Sequence, residues 1–336
     1  IAGAGITYKA TKAVMDSAAL DKMLARVANT AGATAQQSRG LRSELYDMAK
    51  QTGQSVDELL QGFYALVQSG QSWDEALATI KAINPAMAVT GASAETLASG
   101  MTVAAQSFGF DLSDLKTAKL MLDQMYAAGN LGNAELENLA DIFARVGNNA
   151  KTAGLSFEGT LAFIERMSLV EKQPERLATL TDSTLRLFTN QKYMTKAAKV
   201  TGVNFYDAKG ERRAMFDVLA DIRDRYQKFK TSAEKDKAFS AAFGDTDLDT
   251  QRGLRIFLDA DTIDEARTFS GEIKESAGLI AQKLPSAVAN AVDQTARLKA
   301  ELGKAADAFA QPINDVIEDG IKYILDTQQI GGKELL

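Results

Sequence analysis

Cysteine and histidine are both absent from the 336 residues. Without cysteine there is no disulfide framework, no thiol nucleophile and no thiolate metal site. Without histidine there is no imidazole base, no Ser-His-Asp triad and no ordinary zinc site, since zinc wants nitrogen or sulfur ligands. Carboxylates, Lys, Tyr, Ser and Thr remain, which restricts any enzyme to a narrow kind. Proline is scarce, with only Pro85, Pro174, Pro285 and Pro312, so long helices stay largely unbroken. Aromatics make up 7%, and no uncharged apolar run approaches the ~18 residues of a membrane span.

What is present points to helices. Alanine, the strongest helix former, supplies 55 residues. Apolar residues recur in 3- and 4-residue steps. Val56, Leu59, Leu60, Phe63 and Val67 make one stripe, and Trp73, Ala76, Leu77, Ile80 and Met87 another. The pattern continues through Leu97, Met101, Ala104 and Phe108, then Leu115, Leu122 and Met125, then Leu136, Leu139, Phe143 and Val146, and then Phe157, Leu161 and Ile164. Such spacing turns one face of each helix to a core. No window sustains a period of two, so no sheet of any size is expected. The length suits two or three domains.

The breaks between stripes resemble one another: Gly53-Gln54-Ser55, Gly70-Gln71-Ser72, Gly91-Ala92-Ser93 and Gly154-Leu155-Ser156. Each predicts a left-handed glycine ending one helix and a serine capping the next. Glu58 and Glu75 are placed to complete capping boxes. Thr52-Gly53 and Thr90-Gly91 recur 38 residues apart, which fits either a duplication or the reuse of a favourable turn. The pattern predicts an all-α fold of stacked antiparallel helical hairpins. A long amphipathic C-terminal helix is expected over 286–326, with Val292, Leu298, Leu302, Ala305, Phe309, Ile313, Val316 and Ile324 as its stripe and Pro312 as a kink. A narrow stripe of this kind suits association with other helices.

Four segments are expected: a helical lead-in over 1–50, a hairpin core over 51–190, a second helical subdomain over 191–285, and a long helix with linker over 286–336. The start at Ile1, with neither initiator Met nor leader, and the Gly331-Gly332-Lys333 ending suggest an internal segment of a longer chain.

Net charge is −6, unevenly spread: residues 51–150 hold 4 basic and 11 acidic residues, and 151–200 hold 8 and 5. This argues against sequence-specific nucleic-acid binding, which needs a clustered basic face. The basic-looking run from Arg212 to Lys237 is mixed with acids at helical spacing and reads as an ion-paired face. Asp245, Asp247 and Asp249 alternate as in a calcium loop, but Thr250 stands where the turn glycine belongs and Ile256 where the bidentate Glu belongs, so a capped, solvated turn is expected. Glu275-Ser276 and Gly278-Leu279-Ile280 are similar to two elements of lytic transglycosylases but lie too close together to form that cleft. No catalytic, cofactor-binding or metal-binding residue is assigned, and no cofactor is expected. Residues 82–115 carry no Lys or Arg and read as a buried hairpin, with membrane contact as the alternative.

These residues carry a family likeness. Ala49–Gly53, Ala65–Gly70 and Trp73–Ala76 form one matching stretch. Glu135–Leu139, Val146–Ala150 and Ala153–Ser156 form a second. Gly202-Val203, Asp207, Gly210 and Ala242-Phe243-Gly244 form the most specific, and Leu298-Lys299 with Pro312-Ile313 closes the series. The chain resembles the core region of phage tail tape measure proteins, departing from it at Ser168-Leu169-Val170-Glu171-Lys172.

The resemblance implies a structural protein of the virion, assembled in the host cytoplasm and sited in the tail lumen or tip. It would act in tail assembly, length determination and genome ejection. The implied partners are the tail tube protein, the tip or baseplate hub and distal tail proteins, tail assembly chaperones, the host inner membrane during ejection, and further copies of the chain through the C-terminal helix, as a trimer. A peptidoglycan-degrading tail module and an unrelated helical adaptor remain as alternatives.

Overall fold

The computed structural model describes residues 2–259, 261–290, 295–297, 299–308 and 311–312, with side chains from Ser17 onward. Its helices are α1 (Ala2–Ala31), α2 (Ala35–Thr52), α3 (Val56–Gln68), α4 (Trp73–Thr90), α5 (Ala94–Phe108), α6 (Leu115–Gly129), α7 (Leu136–Thr152) and α8 (Phe157–Ser168). They continue as α9 (Pro174–Thr189), α10 (Gln191–Thr201), α11 (Met215–Tyr226), α12 (Ser232–Phe243), α13 (Leu248–Phe257), α14 (Thr262–Lys274) and α15 (Leu279–Ala287). Among the described residues there is no strand, only an antiparallel bridge between Tyr206 and Arg212. The all-α class read from composition and periodicity is the class observed.

The helix ends follow the turn chemistry. Gly53, Gly70, Gly91 and Gly154 all have φ between 76° and 91°. The Ser55, Ser93 and Ser156 hydroxyls accept from the amides of Glu58, Thr96 and Gly159. At Ser55 this is the half of the box that forms. Both halves form at Thr34 with Gln37 and at Thr231 with Glu234, two sites the sequence reading passed over. In the Thr-Gly unit the threonine hydroxyl donates to the carbonyl four residues back and accepts from the amide two residues on. Thr52 and Thr90 do so, and Thr201-Gly202 is a third instance.

By its packing the chain forms two units, one of residues 1–73 with 286–336 and one of residues 74–285. In the first, Leu24, Val27, Leu41, Leu45, Leu59, Leu60 and Phe63 are buried. Trp73 meets Phe63 edge to face at 4.9 Å between centroids. The helical stretch 299–308 docks here through polar groups. Arg42, buried, pairs with Asp21 and with buried Asp307 and donates to Ser17 Oγ at 2.8 Å. Lys304 meets Asp47 at 2.5 Å, and Lys50 meets Glu301 at 2.9 Å.

This corrects the expected C-terminal stripe: Leu302 is 61% exposed and Ala305 is exposed, while Asp307 is buried. The reason is Arg42, a buried cation that selects a carboxylate rather than an apolar partner. The expected helix is also interrupted, since α15 ends at Ala287 and 288–290 form a turn. Val292, Leu298, Phe309 and everything from Ile313 on lie outside the described residues.

In the second unit the most extensively packed helix pairs are α5 with α7, α9 with α13, and α8 with α14, none of them consecutive in the chain. Small residues permit this. A Cβ on Gly100 would stand 2.7 Å from the Ala140 carbonyl oxygen, and one on Gly253 would stand 1.7 Å from Thr184 Oγ1. Phe108, Phe143 and Phe157 form a ring cluster with centroids 5.2–5.9 Å apart, and Phe163 stacks on Phe257 at 4.7 Å. Each such pair adds about 0.5–1.5 kcal/mol beyond its area burial. Within residues 82–115, Ala82, Ile83, Ala86 and Met87 of α4 and Leu97, Met101 and Ala104 of α5 are buried. No helix of the described residues is long and apolar enough to cross a membrane.

Candidate functional site

The acidic loop after α12 is occupied with its own structure. Asp245 pairs with Lys196 at 2.6 Å, and that hydrogen bond and charge hold its carboxyl below the usual range. Asp247 caps α13 by accepting from Thr250 N at 2.9 Å and also meets Arg186 at 3.6 Å. Asp245 and Asp247 are therefore committed to cations and to a cap, as the capped-turn reading expects. No group of three or more potential metal ligands converges among the described residues.

The Gly278-Leu279-Ile280 element has an equally local use. The buried Asp123 carboxylate of α6 accepts from Gly278 N at 2.7 Å and Ile280 N at 2.8 Å. It thereby supplies the amide partners that the first turn of α15 lacks within its own helix. Sequence offered no sign of this pairing, because the two partners lie 155 or more residues apart. The Arg212–Lys237 run is ion-paired in part: Arg213 meets Asp221 at 2.7 Å and Arg223 meets Asp264 at 2.7 Å, whereas Arg225 donates to the Thr201 carbonyl at 2.6 Å and Lys235 to Gln227 Oε1 at 2.9 Å.

The segment that gave the most specific resemblance forms a tight loop. Gly202 ends α10 at φ 67°, and buried Val203 and Phe205 anchor the chain. The Asp207 carboxylate accepts from Lys209 N and Glu211 N, and Gly210 turns at φ 84°. Phe205 packs on Phe188 at 5.3 Å. Ala242 and Phe243 are buried at the end of α12, with Phe243 5.1 Å from Phe239. These residues thus fix a turn and a helix end; none presents a reacting group.

Sequence reasoning missed two features. Glu165 of α8 is fully buried beneath the loop joining α6 to α7. Its Oε2 accepts from Ala134 N at 3.2 Å and lies 2.8 Å from Ser168 Oγ, while its Oε1 has no hydrogen-bond partner. Burial pushes its pKa up to about 7, against the opposing pull of the Ser168 and Ala134 bonds. The second is a cleft of about 620 Å³ where α8, α11, α12 and α13 converge. Leu169 and Val170 are exposed on its edge, and Lys235, Arg252 and Arg255 line it. A smaller cleft of about 100 Å³ shares Tyr226 with it and is bordered by Val200 and Phe229. Periodicity could not locate either cleft: the larger joins the end of α8 to helices some 55–95 residues further on, and the smaller depends on how the consecutive helices α10, α11 and α12 pack.

Among the described residues, the motifs singled out from sequence are thus taken up by turns, caps and ion pairs. The family model described as phage-related minor tail protein matches residues 42–244, more than half of the chain. The chain belongs to that family. The match closes on Gly244, the last residue of the Ala242-Phe243-Gly244 element that ends α12. This minor tail protein is also similar to the tape measure protein of Pneumococcus phage Dp-1, at 24% identity over 334 residues. The similarity takes in 96% of the chain and 28% of the relative, so the chain spans little more than a quarter of that curated relative's length. No solved structure matches it.

Proposed function

We propose that this chain is a folded, non-enzymatic section of a tape measure protein, acting in the tail lumen or tip during tail assembly, length determination and genome ejection. The observation that carries the reading is the similarity along nearly the whole chain to a protein described as a tape measure protein. Within that role the section serves as an anchor rather than as the extended ruler. A fully helical rod of this length would reach roughly 500 Å at about 1.5 Å per residue. The contacts of the second unit argue for folding back instead: Asp123 caps residues 155 and 157 positions away, and α13 seats Gly253 against Thr184 of α9.

The tail tube, the tip or hub, distal tail proteins and assembly chaperones are the proposed partners. Self-association through the C-terminal helix is supported by exposed Leu302 on a helix whose polar face is already engaged, and a trimer is proposed by analogy with phage tail tips. No observation favours a peptidoglycan-degrading role, since Gly278 and Ile280 are committed to Asp123.

In-frame deletion of α5–α7 from the parent gene tests the anchor reading. Few tails should assemble, and those that do should keep the parental length in electron micrographs. Tails that form normally but are shortened by about 1.5 Å per residue removed would refute it.

A further inference from the structure

Single exposed apolar side chains are ordinary on protein surfaces. Their grouping at the edges of adjoining clefts is not. Leu169 and Val170, on the turn after α8, are 40% and 55% exposed and line the larger cleft. Val200 and Phe229, 44% and 40% exposed, line the smaller one. Tyr226 lines both. Leu169 and Val170 follow the end of α8 at Ser168 and are each only about half covered.

Four cations, Arg166, Lys235, Arg252 and Arg255, line the larger cleft beside one carboxylate, Asp259. Three of these cations are held in place by ion pairs: Arg166 with Glu265 at 2.5 Å, Arg252 with Glu171 at 3.1 Å and Arg255 with Asp236 at 3.3 Å. Arg255 also lies over the Phe239 ring at 4.0 Å. A guanidinium has five donors, so each paired arginine retains some for an incoming acceptor. Lys235 has no carboxylate partner among the described residues. Its ammonium donates to neutral Gln227 Oε1 at 2.9 Å and stands 5.6 Å from the centre of the Tyr226 ring.

We infer that these adjoining clefts are a docking site for an acidic segment of a partner protein, one that pairs a carboxylate with bulky apolar side chains. The carboxylate binds at Lys235 between the ordered guanidinium groups. The apolar side chains cover Leu169, Val170 and Phe229 and enter the small cleft at Tyr226. Complementary charge sets the register of such a segment, and buried apolar area supplies most of the affinity. A nucleic acid fits less well: a backbone-binding protein needs an extended basic track rather than a short cleft edged with leucine, valine and phenylalanine. The inference stands on the clefts alone and does not depend on the tail reading.

The test is a selection from a displayed random 12-residue peptide library on the immobilised full chain, with counter-selection on Lys235→Glu. Enriched peptides should combine Asp or Glu with bulky apolar residues. In fluorescence anisotropy their affinity should fall at least tenfold for Lys235→Glu and for Phe229→Ser. It should be unchanged for Leu248→Ser, whose parent leucine is 83% exposed but lines neither cleft. Circular dichroism of each variant establishes that the fold is retained. Three results would overturn the inference. One is the absence of enrichment over the Lys235→Glu counter-target; another is enrichment of basic or uncharged peptides. The third is binding of a labelled 20-nucleotide single strand or duplex that Lys235→Glu abolishes while peptide binding stays the same.

Discussion

At the residue scale, Glu165 shows how a buried carboxyl converts position into pH dependence. Its folded pKa of about 7 lies above the ordinary value of 4.5, so between those values the folded chain holds a proton that the unfolded chain has released. Stability therefore falls as pH rises from about 4.5 to about 7 and levels off above. The full effect is on the order of 3 kcal/mol. Glu165→Gln removes the titrating group and should flatten this slope in urea midpoints measured from pH 5 to pH 8. An unchanged slope in the variant would locate the dependence elsewhere. Nothing in the local sequence Phe163–Met167 marks Glu165 as buried. The loop that covers it belongs to residues 131–134, and a Cβ on Gly132 would stand 1.9 Å from Glu165 Oε2.

At the element scale, the helix pairs depend on where side chains are missing. Gly100 of α5 lies so close to α7 that an added Cβ would meet the backbone and Cβ of Ala140 at 2.7–2.8 Å, and backbone cannot swing away as a long side chain can. Gly100→Ala should cost about 1–3 kcal/mol and lower the thermal midpoint. Gly40→Ala in α2 is the matched comparison. It meets nothing within 4 Å, and better helix propensity should leave it neutral or stabilised by up to about 1 kcal/mol. If both substitutions behave alike in calorimetry, the close approach of α5 and α7 is not what sets the cost. The helices themselves were legible, because a 3.6-residue period and a Gly-x-Ser break act within one or two turns of chain. Their partners were not legible. Consecutive apolar stripes suggested consecutive hairpins, whereas the most extensive contacts join α5 to α7, α9 to α13 and α8 to α14.

At the scale of the whole molecule, the first unit closes on an ion pair between residues 265 positions apart. Burial works against the Arg42 charge, but the hydrogen bonds and charges of Asp307 and Asp21 outweigh it, and the guanidinium pKa is raised. Asp307→Ala leaves that cation buried with one carboxylate removed, a loss worth about 3–5 kcal/mol in comparable pairs. Amide exchange in α1, α2 and residues 299–308 should accelerate together. Acceleration confined to 299–308 would mean that Arg42 is satisfied without it. Periodicity assigned this last stretch an apolar inward face. The structure turns Asp307 inward and Leu302 outward, because the nearest buried group is a cation.

The helical class, most helix ends, the capped acidic turn and the family likeness can be read from the amino-acid order alone. Each rests on interactions between residues a few positions apart or on a pattern of turns. Which helices pack together, that Asp123 caps α15, that Glu165 is buried, and that Leu169, Lys235 and Phe229 edge adjoining clefts emerge from the folded packing. Those features depend on contacts tens to hundreds of residues apart, where burial and charge compensation select the partner and local spacing carries no record of it.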